Sequence, residues 1–205
     1  MPYKDKQKQK EYQKKHYLDN KETYAARSKE WREGLYTKLK EYKSTLACLY
    51  CGKQGCIDFH HNGDKTDTVS NIIRRHSWER TLEEIKKCDA VCVNCHRKLH
   101  KRNGQKYLED TDDPILQNKR EMTRWFYEYK SKLKCEICGE TESCCLDFHH
   151  KKDKIEIVAV CASKGWSKKR ILEEIDKCII LCGNCHRELH DERGIVDYAQ
   201  ITRKV

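Results

Sequence analysis

The chain has 205 residues, of which 37% are hydrophobic and another 37% charged, with 14 cysteines and a net charge of +10. That length accommodates one medium domain or two small ones, and so little apolar material favours two small cores over one large core. No run approaches the roughly 20 apolar residues that a membrane-spanning helix needs, which excludes a membrane role, and MPYKDKQKQKEYQKKHY at the start lacks the apolar stretch of a secretory signal. The expectation is therefore a cytoplasmic protein whose cysteines are reduced and bind metal, rather than a disulfide scaffold.

In chain order, residues 1–45 form a basic arm rich in Lys, Glu, Gln and Tyr, predicted to be mostly helical. Tyr17, Tyr24 and Trp31 are spaced by seven and share one helical face. Such a stripe packs on the first repeat or on another chain, or stacks on nucleic acid. The surrounding Lys and Arg favour DNA, because neutralising phosphates supplies sequence-independent affinity. Residues 46–103 form a first module, 104–134 an acidic turn (EDTDDP, 109–114) plus a linker helix, 135–192 a second module and 193–205 a tail. The charge is +6 over 1–47 and +4 over 48–103, against −3 over 135–192, so the front half looks built for a polyanion.

The two modules are copies. YKSTLACLYCG (42–52) matches YKSKLKCEICG (129–139), IDFHH (57–61) matches LDFHH (146–150), and LEEIKKCDAVCVNCHRKLH (82–100) matches LEEIDKCIILCGNCHRELH (172–190). Each copy reads as a lead-in helix, a cysteine knuckle, a short strand ending in two histidines and a loop carrying Asp-Lys. A helix that Ser77 or Ser167 could cap follows, then a second strand, a second cysteine pair and a final helix. The fold class is α+β.

Each copy holds two C-x-x-C pairs, Cys48, Cys51, Cys92 and Cys95 in the first, and Cys135, Cys138, Cys182 and Cys185 in the second. Four thiolates from two knuckles are what a closed tetrahedral zinc site requires, so two structural Zn²⁺ are expected. Cys56, Cys88, Cys144, Cys145, Cys161 and Cys178 complete no further site; Cys88 and Cys178, before the second strands, read as small buried hydrophobes. CVNCH and CGNCH also spell a haem attachment sequence. The partner cysteine pair in each copy, the absent export signal and the scarcity of bulky apolar residues argue against haem.

Eight of the ten histidines fall inside the repeats: His60, His61, His96 and His100, and His149, His150, His186 and His190. On a helix the last two of each set are four apart and project from one face, about 6 Å from each other. A second metal or catalytic centre is expected in each copy, containing His60, His96 and His100, with His61 left over beside the metal. Three imidazoles with open positions describe a catalytic site, and an unligated histidine can take a proton from water at neutral pH. Asp58 and Asp147, two residues before the first histidine, read equally as carboxylates supporting the metal ligands or as structural hydrogen-bond partners.

With C-x-x-C, DFHH and C-x-N-C-H-R-x-L-H in place, each copy resembles the HNH endonuclease family, of the zinc-finger-bearing kind with a ββα-metal, treble-clef-like core. The resemblance covers about 46–102 and 133–192. It implies metal-dependent DNA cleavage in which His60 and His96, or His149 and His186, ligate the metal while His61 or His150 activates water; His100 and His190 match a further ligand or phosphate contact. It also implies 5′-phosphate and 3′-hydroxyl ends and a phage or mobile-element setting. Two departures stand out. The family's middle Asn, which orients the base, is replaced by Lys87 and Lys177, with Asn94 and Asn184 the only Asn shared near the site. His60 and His149 stand where many relatives have Asp, which moves the catalytic metal from Mg²⁺ toward Mn²⁺, Ni²⁺, Co²⁺ or Zn²⁺. Neighbours on a regular strand also point to opposite faces, so for both histidines to serve one site the strand must end or bulge there.

The leading expectation is a double nuclease on DNA, with Arg74, Arg75, Arg80, Lys86, Lys87, Arg97, Lys98, Lys101 and Arg102 extending the grip of the arm. Two rivals are a zinc-stabilised nucleic-acid-binding protein that does not cut, and a division of labour in which the basic first copy cleaves and the acidic second copy docks or regulates. Oligomeric state is not encoded in any of these patterns.

Overall fold

The computed structural model describes residues 5–100 and 112–190; Lys101, Arg102, most of the acidic turn and the tail from 193 lie outside the described residues. The fold is mixed α+β. Two compact units emerge: residues up to Leu46 together with His61–Asp89, and Ala47–His60 together with the chain from Ala90 onward. The division cuts through the first repeat, and the cysteine pairs of both repeats fall in one unit.

In the first unit the arm is helical, as α1 (Lys6–Asp19) and α2 (Lys21–Ser44). Asp5 caps α1 by accepting from the amides of Gln7 and Lys8. Leu35 is the one buried residue in the described arm helices. Tyr17 and Tyr24 stack with centroids 6.2 Å apart, yet with Trp31 they remain 53%, 40% and 49% exposed. The aromatic stripe is therefore not packed on the first repeat as core. Further on, α3 (Val69–Arg75) is capped by Thr68, and α4 (Trp78–Ile85) by Ser77 as the sequence predicts. The α3 segment was expected to be loop; Val69, Ile72 and Ile73 at helical spacing bury one face of it, against α2 and α4.

Each repeat contains one two-stranded sheet: β1 (Ile57–His61) with β2 (Cys88–Cys92), and β3 (Leu146–His150) with β4 (Cys178–Cys182). The second pair is antiparallel and in unbroken register from Leu146↔Cys182 to His150↔Cys178. Helices α5 (Val93–Leu99) and α9 (Gly183–His190) follow β2 and β4 directly. The second repeat is led by α6 (Pro114–Lys130), capped by Asp113, and carries α7 (Val158–Ser163) and α8 (Lys168–Ile175) between its strands. Met122 and Phe126 of α6 bury against Val158, Cys161 and Ala162 of α7 and Ile171 and Ile175 of α8. A second cluster, Leu146, Ile179 and Leu181 with three cysteines, lies around the knuckles.

Within the second unit the two repeats meet through α5 and α9 in a reciprocal pattern. The Asn94 amide donates to Asn184 Oδ1 (3.3 Å) and the Asn184 amide to Asn94 Oδ1 (3.1 Å). The Cys56 thiol donates to the Asn184 carbonyl and the Cys145 thiol to the Asn94 carbonyl, both at 3.5 Å. Contacts that exchange residue i with j and j with i define a pseudo-twofold axis, as in an isologous dimer. The copies differ at one point of this contact: a Cβ on Gly183 would sit 2.6 Å from Val93 Cγ1. Val93 and Gly183 occupy equivalent repeat positions, so the side chain of one fills the space the other leaves.

Candidate metal centres and a buried histidine–glutamate pair

The four cysteines of each copy converge, their Sγ atoms all within 4.8 Å of one another. Cys51 and Cys92 lie 3.7 Å apart, and Cys138 and Cys182 3.6 Å. Tetrahedral zinc with Zn–S bonds near 2.3 Å separates its sulfurs by about 3.8 Å, so both clusters could hold structural zinc. The second pair of each cluster sits at a helix start, where Cys92 Sγ accepts from the Cys95 amide and Cys182 Sγ from the Cys185 amide, each at 3.4 Å. Asn184 Nδ2 also donates to Cys92 Sγ across the repeats, at 3.3 Å. Four sulfurs this close cannot all ionise without a cation. Hydrogen bonds with Cys182 and Cys185 pull the Cys135 thiol far down, and those with Cys135 and Cys182 push Cys185 far up. Cys88 and Cys178, by contrast, donate to the backbone carbonyls of Glu84 and Glu174, and burial pushes both up to about 11. Cys178 is buried, as the sequence suggests, and Cys88 partly so.

Three histidines of each copy also converge, with ligand nitrogens within 4.8 Å: His60, His96 and His100, and His149, His186 and His190. His60 Nδ1 and His100 Nε2 are 3.2 Å apart, as are His149 Nδ1 and His190 Nε2. Two imidazoles on one tetrahedral ion with bonds of 2.0–2.1 Å place their nitrogens about 3.3 Å apart. His186 Nδ1 meets Asp147 Oδ2 at 3.1 Å and His96 Nδ1 meets Asp58 Oδ2 at 3.4 Å. Donation from Nδ1–H leaves Nε2 as the lone-pair atom of each ring, the arrangement in which carboxylates orient metal-binding histidines. Burial, and then the neighbouring His186, His190 and His150, push His149 down to about 4, so its ring is neutral at physiological pH, as a ligand must be. The donor sets fit a divalent metal.

His150 is not in that cluster. Because the register runs unbroken to His150↔Cys178, neither strand bulges, and His149 and His150 leave the last two positions of β3 toward different partners. His150 Nε2 meets Glu174 Oε1 at 2.8 Å. Glu174, 1% exposed, also accepts from the Ile155 and Glu156 amides and from Lys177 Nζ at 2.7 Å. In the first unit His61 Nε2 meets Glu84 Oε1 at 2.9 Å, and Glu84 accepts from Lys87 Nζ at 2.9 Å and from the Thr66 amide. A carboxylate only accepts, so each histidine donates from Nε2, and in the neutral ring Nδ1 carries the lone pair.

These glutamates are what sequence reasoning missed. Burial raises the Glu174 carboxyl, but Lys177, the two amides and His150 outweigh it and hold it at about 2, below the ordinary 4.5; Glu84 is likewise held at about 2. A depressed carboxylate contributes stability above its unfolded pKa and loses it as pH falls through the folded one. Glu174→Gln is therefore expected to cost about 2 kcal/mol at pH 7, and the gap from wild type to close between pH 4.5 and 2. Urea titrations of both proteins across that range measure it; loss of zinc in acid is common to both and cancels in the difference. A gap that persists to pH 2 contradicts the assignment.

Of the residues predicted to grip DNA, Arg74, Arg80 and Lys86 are exposed, and Arg75 lies 3.9 Å from Asp67. Lys87 is engaged with Glu84 and Thr66. Arg97 forms a two-pronged pair with Asp147, and Lys98 reaches Glu140 at 2.8 Å. Asn94 and Asn184 join the two repeats through each other's amides. The chain matches no protein-family model, no curated protein and no solved structure.

Proposed function

We propose that the protein is a metal-dependent endonuclease of the HNH type, hydrolysing DNA phosphodiesters at two sites per chain. The observation that carries this reading is the pairing, in the second copy, of a three-histidine cluster with a fourth histidine whose tautomer is set by a buried glutamate. His149, His186 and His190 would hold a divalent ion, which when bound would supply polarisation of a phosphoryl oxygen and compensation for charge on the leaving oxygen. His150, with its lone pair on Nδ1, takes the proton from the attacking water. Glu174 orients His150, the role the resemblance gives to the family's middle Asn, and steadies the imidazolium that results, while Lys177 keeps Glu174 ionised. By repeat position, the residues of the first copy equivalent to these are His60, His61, His96, His100, Glu84 and Lys87. The exposed lysines of α1, at 6, 8, 10, 14 and 15, suit contact with phosphates.

The test is supercoiled plasmid incubated with zinc-loaded protein and Mg²⁺, Mn²⁺, Co²⁺, Ni²⁺ or further Zn²⁺. Relaxed or linear DNA that EDTA suppresses is expected, with imidazole-preferring metals outperforming Mg²⁺. No conversion in any metal at stoichiometric protein overturns the nuclease reading, and retained plasmid binding under those conditions would favour a non-cleaving nucleic-acid-binding protein.

A further inference from the structure

We infer that the two copies complete each other's histidine clusters crosswise: Arg97 of the first copy is a positioning residue for His149, His186 and His190, and Arg187 of the second for His60, His96 and His100. The inference rests on the reading of those clusters as metal sites and adds which residues orient them.

Arg97 reaches across the pseudo-twofold contact. Its Nη1 donates to Asp147 Oδ1 at 3.0 Å and to the Cys145 carbonyl at 3.1 Å, and its Nη2 to Asp147 Oδ2 at 2.9 Å. The same Oδ2 meets His186 Nδ1. Arg187 repeats this in the other direction, from Nη1 to Asp58 Oδ1 at 2.8 Å and the Cys56 carbonyl at 3.3 Å, and from Nη2 to Asp58 Oδ2 at 3.3 Å. Asp58 Oδ2 in turn meets His96 Nδ1. Two parallel N–H···O bonds from a planar fork fix a carboxylate's plane as well as its position. A carboxylate so fixed sets the ring angle of the histidine it binds.

Helix geometry explains why the arrangement is crossed. Arg97 follows His96 and Arg187 follows His186, and consecutive residues on an α-helix diverge by about 100°. With the histidine facing its own cluster, the arginine faces the partner helix. One His-Arg dipeptide therefore contributes a ligand to its own copy and a clamp to the other.

The test uses the full chain with both cysteine clusters zinc-loaded, in two backgrounds: His60→Ala/His100→Ala, which leaves the second cluster, and His149→Ala/His190→Ala, which leaves the first. Co²⁺ and Ni²⁺ affinities are measured by competition with a chelating indicator. Arg97→Ala is expected to weaken the second cluster about tenfold and the first less than about twofold, the lower end of what loss of an outer partner costs. Arg187→Ala should do the reverse, and Arg97→Lys, which keeps the charge but not the fork, should fall between. Equal losses at both clusters, or a loss confined to the arginine's own copy, overturn the crossed assignment in favour of a general role in the contact. Binding unaffected by either arginine overturns the inference alone. If neither background binds Co²⁺ or Ni²⁺, the metal reading of the histidines falls with it.

Discussion

Replacement of His61 and His150 together by alanine is expected to lower metal-dependent plasmid cleavage by about 10²- to 10⁴-fold, the usual contribution of a positioned general base, with zinc content unchanged. The fold should survive, because Glu174 keeps Lys177 and the Ile155 and Glu156 amides when His150 is removed, and Glu84 keeps Lys87 and the Thr66 amide. Each single variant retains one intact copy. If the copies cut opposite strands, the wild type yields linear plasmid and each single variant only nicked circles, read directly on a gel. A double variant that cleaves at the wild-type rate would remove both histidines from the mechanism. Loss of cleavage in only one single variant would instead point to the division of labour between a cleaving and a docking copy.

The second large effect concerns the cysteines. Cys182→Ser is expected to reduce bound zinc from about two to about one per chain and to unfold the second copy. Structural zinc binding is worth roughly 10–16 kcal/mol at neutral pH, comparable to the whole stability of a small domain at about 5–15 kcal/mol. Cys182 is also a buried member of the knuckle cluster and receives the Cys185 amide at the start of α9, so its loss weakens a helix that carries His186 and His190. Metal analysis and thermal melting followed by near-ultraviolet circular dichroism measure the outcome. An unchanged zinc count with an unchanged melt would sink the structural role.

Much of the local architecture was legible. Ser77 and Ser167 cap α4 and α8 because a side-chain oxygen three residues before a free amide is a local arrangement. The cysteine spacing announced the two four-sulfur clusters, and the four-residue spacing of His96 and His100, and of His186 and His190, placed those rings 4.9 Å and 5.0 Å apart. The helices α3 and α7 were missed. Each is under two full turns, and their buried residues at i, i+3 and i+4 (Val69, Ile72 and Ile73; Val158, Cys161 and Ala162) are too few for periodicity to rise above loop composition. Cys56 and Cys145 precede equivalent strands, a signal that was present in CIDFHH and CLDFHH but had no visible purpose until their thiols met the opposite copy's Asn carbonyls.

The sequence by itself determined the duplication, the α+β class and the donor atoms, since each follows from residue type and short spacing along the chain. Only the tertiary structure decided which charged residues are spoken for. Nothing in LEEI singles out Glu84 or Glu174, and Arg97 reads as a phosphate contact. Folding buried the glutamates behind His61 and His150 and turned Arg97 and Arg187 toward the opposite copy's aspartates. A charge's role depends on which partner a distant part of the chain brings within about 3 Å, and no local spacing encodes that.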